Sequence, residues 1–293
     1  MSIAKQKKFR ELLNGKGAIA VAPGCYDAMS AMLIEQAGFP IAYMSGLCVA
    51  ASLGYPDTGI IAAAEMVERA AVIARSIEIP LFADADTGYG GASNIAECVR
   101  AFERAGAAGI HLEDQSNPKK CAALPGKSLV STREMCARIK IALEARTSPD
   151  FVIVGRTDAL AVTGLDDAIA RVQAYEAAGA DATMLMGVST EVDMKRITSA
   201  LKKPCIVLMA EKIRPLIANQ RLRKVGYPLV LYPLSLIEVA FFAQRELCNR
   251  LMKEGTTETL LDRIPTLNEI NGLLKMDHVV RGELRYQQLK ETT

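Results

Sequence analysis

Two aspartates, Asp84 and Asp86, stand two residues apart at the end of an apolar run, and Glu113 ends the next such run. If the first run is a strand, positions 84 and 86 share one face. Asp57, on an earlier loop, and Glu113 can reach the same point. Carboxylates gathered in one place repel unless a cation neutralises them. Hard oxygen donors of this kind suit Mg²⁺, with Mn²⁺ as a substitute, and leave room for several waters on the ion. Zinc is disfavoured, because the two histidines, His111 and His278, stand in no ligand pattern. An acidic pair at a loop start also serves as a helix cap or a solvated turn; what favours a metal is Glu113 together with the Gly88-Tyr89-Gly90-Gly91 turn. Arg156 ends another apolar run and offers a planar fork to a substrate carboxylate. The same guanidinium could instead pair with Glu113 or Asp158. Cys121 follows Lys119 and Lys120, and nearby positive charge lowers a thiol pKa. It lies in the segment 116–130, too long for a routine connection, which reads as a mobile lid closing over the site. Closure would bring Cys121 to the substrate, with Lys119, Lys120 or Glu211 as its electrostatic support.

These residues need a scaffold that brings loop starts together. Eight short apolar runs recur along the chain, at 19–22, 41–45, 80–86, 109–113, 152–158, 182–186, 205–210 and 229–234. Most are apolar throughout, as strands buried on both faces must be. Between them Ile95, Cys98, Val99 and Phe102 recur at helical spacing, with Asn94 and Glu97 resembling a capping box. Ser131 and Glu134 resemble another, opening a helix with Met135, Ile139, Ala142 and Leu143 inward. Ala-Gly pairs at 37–38, 105–106 and 178–179 mark helix ends. Eight strand–helix units in this length predict one (β/α)8 barrel over 1–293, with its chemistry at the C-terminal strand ends. A doubly wound open sheet is the alternative, but no GxGxxG or P-loop supports it. Helical patterns at 236–253 and 267–289 follow the last strand. The second, part of an extension over about 255–293, exceeds what a barrel needs. Ile270, Leu273 and Leu274 give it an apolar stripe to set against a neighbouring subunit or its own barrel.

Composition excludes several classes. The 293 residues carry a formal net charge of +2, with charges scattered and no tryptophan. That argues against a nucleic-acid groove or a stacking platform, and no apolar run reaches spanning length. Seven cysteines with no CxxC pair argue against a disulfide framework and for a reducing cytoplasm. Six of them read as small apolar residues.

Tyr43-Met44-Ser45-Gly46, Gly54-Tyr55-Pro56-Asp57, Asp84-Ala85-Asp86-Thr87-Gly88-Tyr89-Gly90, Leu112-Glu113-Asp114-Gln115, Pro118-Lys119-Lys120-Cys121 and Gly155-Arg156-Thr157-Asp158 together resemble the isocitrate lyase/phosphoenolpyruvate mutase superfamily over nearly the whole barrel. The resemblance implies an Mg²⁺-dependent enzyme that cleaves or forms C–C or P–C bonds of small 2-oxo or 2-hydroxy di-acids through a metal-held enolate. It assigns Ser45, Gly46 and Leu47 to the carboxylate end of that enolate, Asp57, Asp84, Asp86 and Glu113 to the metal and its waters, and Arg156 to substrate oxygens. Tyr43 joins Cys121 and Arg156 as catalytic, Glu211 joins the substrate contacts, and homotetramers with exchanged C-terminal helices are implied. The lid cysteine places the chain nearer the 2-methylisocitrate lyase, dimethylmalate lyase and oxaloacetate-cleaving branch. Three departures stand out: Ala122-Ala123 replaces the lid's Gly-His, Met186 a glutamate and Leu208 an asparagine. Each is less polar, which disfavours a tricarboxylate and favours a smaller or more apolar substrate. A carbon–carbon lyase is the leading expectation. Decarboxylation or hydrolysis of an oxaloacetate-like acid is the alternative within enzymes, and a degenerate metabolite-binding barrel the alternative outside them.

Overall fold

The apolar runs become strands because each can bury both faces, one on the barrel interior and one under the helices. In the computed structural model, residues 2–15, 17–211 and 216–291 are described. Strands β1 (Ala20–Cys25), β2 (Ala42–Met44), β3 (Leu81–Asp84), β4 (Gly109–Glu113), β5 (Val152–Thr157), β6 (Ala182–Leu185), β7 (Cys205–Leu208) and β8 (Leu229–Tyr232) follow one another in a closed barrel. All pairings are parallel, and β8 closes on β1 through Ala20↔Leu229 to Pro23↔Tyr232. Helices α1 (Ser2–Asn14), α2 (Ala28–Gln36), α3 (Gly46–Ser52), α4 (Ala63–Ser76), α5 (Ala92–Arg104), α6 (Thr132–Ala145), α7 (Leu165–Ala177), α8 (Glu191–Ala200), α9 (Asn219–Val225), α10 (Ser235–Glu254), α11 (Leu267–Leu273) and α12 (Met276–Glu291), with short 3₁₀ helices at Ala159–Ala161 and Glu258–Arg263, complete the described elements. The chain forms two compact units, 1–237 and 238–293, with the boundary inside α10. Among the described residues no helix is long and apolar enough to cross a membrane. All seven cysteines are free.

Local signals explain most helix ends. Ser131 caps α6 by accepting from Glu134 N at 3.1 Å, but the Glu134 carboxylate turns to Arg138 rather than back to the cap. The start of α5 lies earlier than Asn94-x-x-Glu97 implies: Gly91 is the cap, and Asn94 Oδ1 accepts from its N–H at 3.2 Å. Glycines 38, 106 and 179 take positive φ of 86°, 94° and 112° just past the ends of α2, α5 and α7. The single helix expected over 267–289 is two, broken where Lys275 takes a φ of 57°.

One element escaped the sequence reading. Helix α1 puts Phe9 and Leu13 among the apolar residues that fill the barrel interior, with the Phe9 ring 5.1 Å from Phe82. Its Arg10 reaches Asp181 Oδ1 at 3.0 Å and the carbonyl of Asp150 at 3.0 Å, both just before strands β6 and β5. The helix therefore plugs the N-terminal mouth and leaves the opposite one for chemistry. Above the plug the interior divides. Strands β2 to β5 turn in Tyr43, Asp84, His111, Glu113 and Arg156, whereas β6 to β8 turn in Met184, Ile206, Leu229 and Leu231.

Phe9 is completely buried. Phe9→Ala is expected to lower unfolding stability by about 3–5 kcal/mol, read as a shifted guanidinium midpoint at unchanged slope. A loss below about 1 kcal/mol would detach α1 from the barrel core.

Candidate functional site

Sheet register brings the polar residues together. Residues paired in a parallel sheet point to the same face, and the register pairs Asp84 with His111 and Glu113 with Arg156. The Arg156 Nη2 group lies 3.1 Å from Glu113 Oε2, and its Nε lies 3.0 Å from Asp158 Oδ2. The ion-pair use of Arg156 is thus the one observed, and it fixes a guanidinium that also lines the central cavity. Asp158 is positioned in turn by Asp114, which accepts from the Asp158 N–H at 3.0 Å, Thr157 Oγ1 at 2.6 Å and the Tyr175 hydroxyl at 2.7 Å.

Asp84 and Asp86 do not share a strand face. Strand β3 ends at Asp84, and Asp86 lies beyond it with a φ of 48°, a left-handed conformation that non-glycine residues adopt at a cost. The turn folds back, so Asp84 Oδ1 accepts from the Asp86 N–H at 2.9 Å while Asp84 Oδ2 accepts from the Gly46 N–H at 3.3 Å. Between the acids stands a residue that sequence reasoning had given to the lid. Lys119, 5% exposed, pairs with Asp57 and lies 2.6 Å from Asp86 Oδ1. Burial disfavours its charge, yet Asp86, Asp84, Glu113 and Asp57 together hold it protonated.

The acids respond unequally. Burial pushes Asp86 up to about 6, helped by the neighbouring Asp84 charge. Burial also raises Glu113 well above the carboxylate range, even beside Arg156. Asp84 goes the other way, to about 2, because His111, Lys119 and Arg156 outweigh its burial.

The central cavity measures about 110 Å³, room for roughly three or four waters at about 30 Å³ each, and so for a small acid. Tyr43, Ser45, Leu47, Asp57, Asp84 and Arg156 line it, with Cys121 on the covering segment. Ala122, Ala123, Met186 and Leu208, the positions that depart from the resembled pattern, line it too. The lid segment is tied down at several points. Gln115 and Lys120 exchange two hydrogen bonds, the Cys121 N–H donates to Asp57 O at 3.0 Å, and the Ser116 N–H donates to Ser128 O at 2.9 Å.

Glu211 bonds the Ser235 hydroxyl and stands outside the lining of the central cavity. Gly46 also stands outside the main lining, its N–H engaged by Asp84. The Cys121 thiol is raised, not lowered: burial outweighs Arg156 and Lys119, because Lys119 is spent on the acids. Lys120 turns to the Gly126 carbonyl at 2.9 Å.

Asp84, Asp86 and Glu113 do not form a direct cage. Among the described residues no three His, Cys, Asp or Glu side chains could hold a metal ion by themselves, since Arg156 holds Glu113 and Lys119 holds Asp86. The donor set nevertheless fits Mg²⁺ through waters. Glu113 Oε1 is buried with no hydrogen-bond partner, the donors are carboxylate oxygens, and Mg²⁺ keeps most of its waters. His111 was missed. It is fully buried, 2.9 Å from the Tyr43 hydroxyl and 3.6 Å from Asp84 Oδ1. Its place two residues before Glu113 on a strand was the available signal.

The chain is similar in sequence and fold to known proteins. Residues 9–252 match the family described as Phosphoenolpyruvate phosphomutase. A 2,3-dimethylmalate lyase from Eubacterium barkeri is 41% identical over 95% of this chain and 97% of its own. A structure of oxaloacetate acetylhydrolase with the inhibitor 3,3-difluorooxalacetate superposes with a TM-score of 0.89 at 35% identity, covering 96% of this chain and 97% of that one. A phosphonopyruvate hydrolase complexed with oxalate and Mg²⁺ does so with 0.88 at 30%, covering 97% and 99%.

The unequal acids give a pH signature in metal-free protein. Asp86 has a folded pKa near 6, above its ordinary value of about 3.9, so its ionisation destabilises the fold. That penalty grows from about pH 4 to about pH 6 and is complete above. His111, depressed to about 4 by burial, acts in the opposite sense and is common to both proteins in a comparison. The stability of Asp86→Asn relative to wild type should therefore rise between pH 4 and 6 and then level. Urea titrations in EDTA test this; a difference that falls with pH refutes it.

Proposed function

This chain belongs to the phosphoenolpyruvate phosphomutase family, within the superfamily that holds carbon–carbon lyases and mutases, and from that premise we propose that it cleaves a carbon–carbon bond in a small 2-hydroxy or 2-oxo di-acid. The observation that carries this reading is one small cavity lined by Asp84, Arg156, Ser45 and the thiol of Cys121. Asp84, with Asp57, Asp86 and Glu113 acting through waters, would hold Mg²⁺ or Mn²⁺. When bound, the metal supplies positive charge where oxygen charge develops. Arg156, fixed by Asp158, orients the substrate oxygens. The Ser45 hydroxyl and the Leu47 N–H in the first turn of α3 receive a carboxylate. The C2 hydroxyl passes its proton to a carboxylate of the acid cluster and becomes a carbonyl as the C2–C3 bond breaks and its electron pair goes to C3. The Cys121 thiol, kept protonated by burial, gives C3 its proton, and the covering segment keeps water away. Hydrolysis of an oxaloacetate-like acid is the second reading, favoured by the likeness to oxaloacetate acetylhydrolase.

The tests are direct. With Mg²⁺ present, wild type is expected to turn over one member of a panel of 2-hydroxy and 2-oxo di-acids. Cys121→Ser should lose at least about a hundredfold in kcat while calorimetry still registers oxalate with Mg²⁺. Equal turnover by the variant would remove Cys121 and favour hydrolysis. No turnover of any acid, with no oxalate binding, would leave a barrel without catalysis.

The same reading includes a cytoplasmic homotetramer. Free cysteines suit a reducing compartment. Helices α11 and α12 expose Leu267, Val279, Leu284 and Tyr286, each more than half, an apolar surface that a subunit would cover. Light scattering should give about four chains for the full protein and a smaller species after truncation before Pro265. A full-length monomer would end this part of the reading.

A further inference from the structure

Beneath the cavity floor one buried ring has a single useful hydrogen-bonding edge. His111 Nε2 lies 2.9 Å from the Tyr43 hydroxyl and 3.6 Å from Asp84 Oδ1, while Nδ1 is buried with no partner among the described residues. The Tyr43 and His111 rings stack with centroids 5.9 Å apart and planes 24° apart. A neutral imidazole carries one proton, on one nitrogen or the other.

The two tautomers are not equivalent. A proton on Nδ1 would leave a buried donor unsatisfied and turn the Nε2 lone pair towards the Asp84 carboxylate. A proton on Nε2 would meet the Tyr43 oxygen and the negative charge of Asp84 together. An unpartnered buried acceptor on Nδ1 is the lesser loss. With Nε2 donating, the Tyr43 oxygen accepts, and its own proton must turn elsewhere. Tyr43 lines the cavity.

We propose that His111 is a positioning residue whose Nε2–H fixes Tyr43 as a hydrogen-bond donor aimed into the cavity, at an oxygen of the bound acid. The ligand's identity rests on the function proposed above; the direction of the hydrogen bonds does not. His111 touches no substrate, and its effect passes through Tyr43. A phenol whose proton pointed down to the ring would present only lone pairs to an anionic ligand and repel it.

Nitrogen NMR on protein labelled with ¹⁵N-histidine decides the tautomer. The chain has two histidines, and His278→Gln removes the other signal. The expected pattern has a proton on Nε2; a proton on Nδ1 alone overturns the proposal. Calorimetry with oxalate and Mg²⁺ supplies the second arm. Tyr43→Phe and His111→Asn should each weaken oxalate by about tenfold, and the double variant by no more than either alone. His111→Gln, whose amide N–H can reach the Nε2 position, should recover most of the loss. Losses that multiply to about a hundredfold in the double variant overturn the coupling. If His111→Asn fails to fold, the wild-type nitrogen signals and His111→Gln still decide. A wild type that binds no oxalate counts against the proposed function, and the proposal then stands or falls on the nitrogen signal.

Discussion

Charge neutralisation inside the barrel mouth is the constraint on which the other features depend. Asp57, Asp84, Asp86, Glu113 and Asp158 all face a region that water scarcely reaches, where like charges repel far more strongly than in solvent. Two cations answer them from different directions. Arg156 rises from the strand beside Glu113 and is held by Asp158. Lys119 descends from the covering segment between Asp57 and Asp86. The first belongs to the rigid sheet; the second belongs to a loop. Electrostatics at the base of the site are therefore permanent, while those at its rim depend on how the loop lies.

The same constraint explains which residues look strained. Asp86 takes a left-handed backbone and a raised pKa together. Both are unfavourable alone: the chain turns back to bury a second carboxylate, and burial first, then the neighbouring Asp84 charge, raises it. Such unfavourable positions are stable only where their surroundings over-determine them. Here the Asp86 N–H on Asp84 and the Lys119 ammonium do so.

The fold was readable from the residues because its signal is repetitive. Eight doubly buried strands need eight apolar runs, and glycines past the ends of α2, α5 and α7 are required by their backbone. The polar site was partly readable for the same reason. Asp84, Glu113 and Arg156 end strands, and strand ends in a barrel converge. What was not readable depends on contacts distant in sequence. Nothing near Lys119 says that its ammonium meets Asp57, 62 residues earlier, or that burial would outweigh the cations near Cys121. Nothing near Phe9 says that it closes the bottom of a barrel, although its helical spacing to Leu12 and Leu13 was visible. Nothing near Glu211 says that its side chain turns to Ser235, 24 residues later.

The division of the interior has an evolutionary consequence. The charged contacts all lie on β2 to β5 and their loops, and the apolar wall on β6 to β8 shares none of them. Met186 and Leu208 touch the cavity without belonging to the ion-pair network, so a change there alters the shape and polarity offered to a ligand and leaves the buried charges balanced. A change at Glu113 or Arg156 cannot be made alone, since each would strand its partner without a counter-charge. One half of the barrel is thus free to drift between substrates by single steps, while the other can change only by concerted replacement.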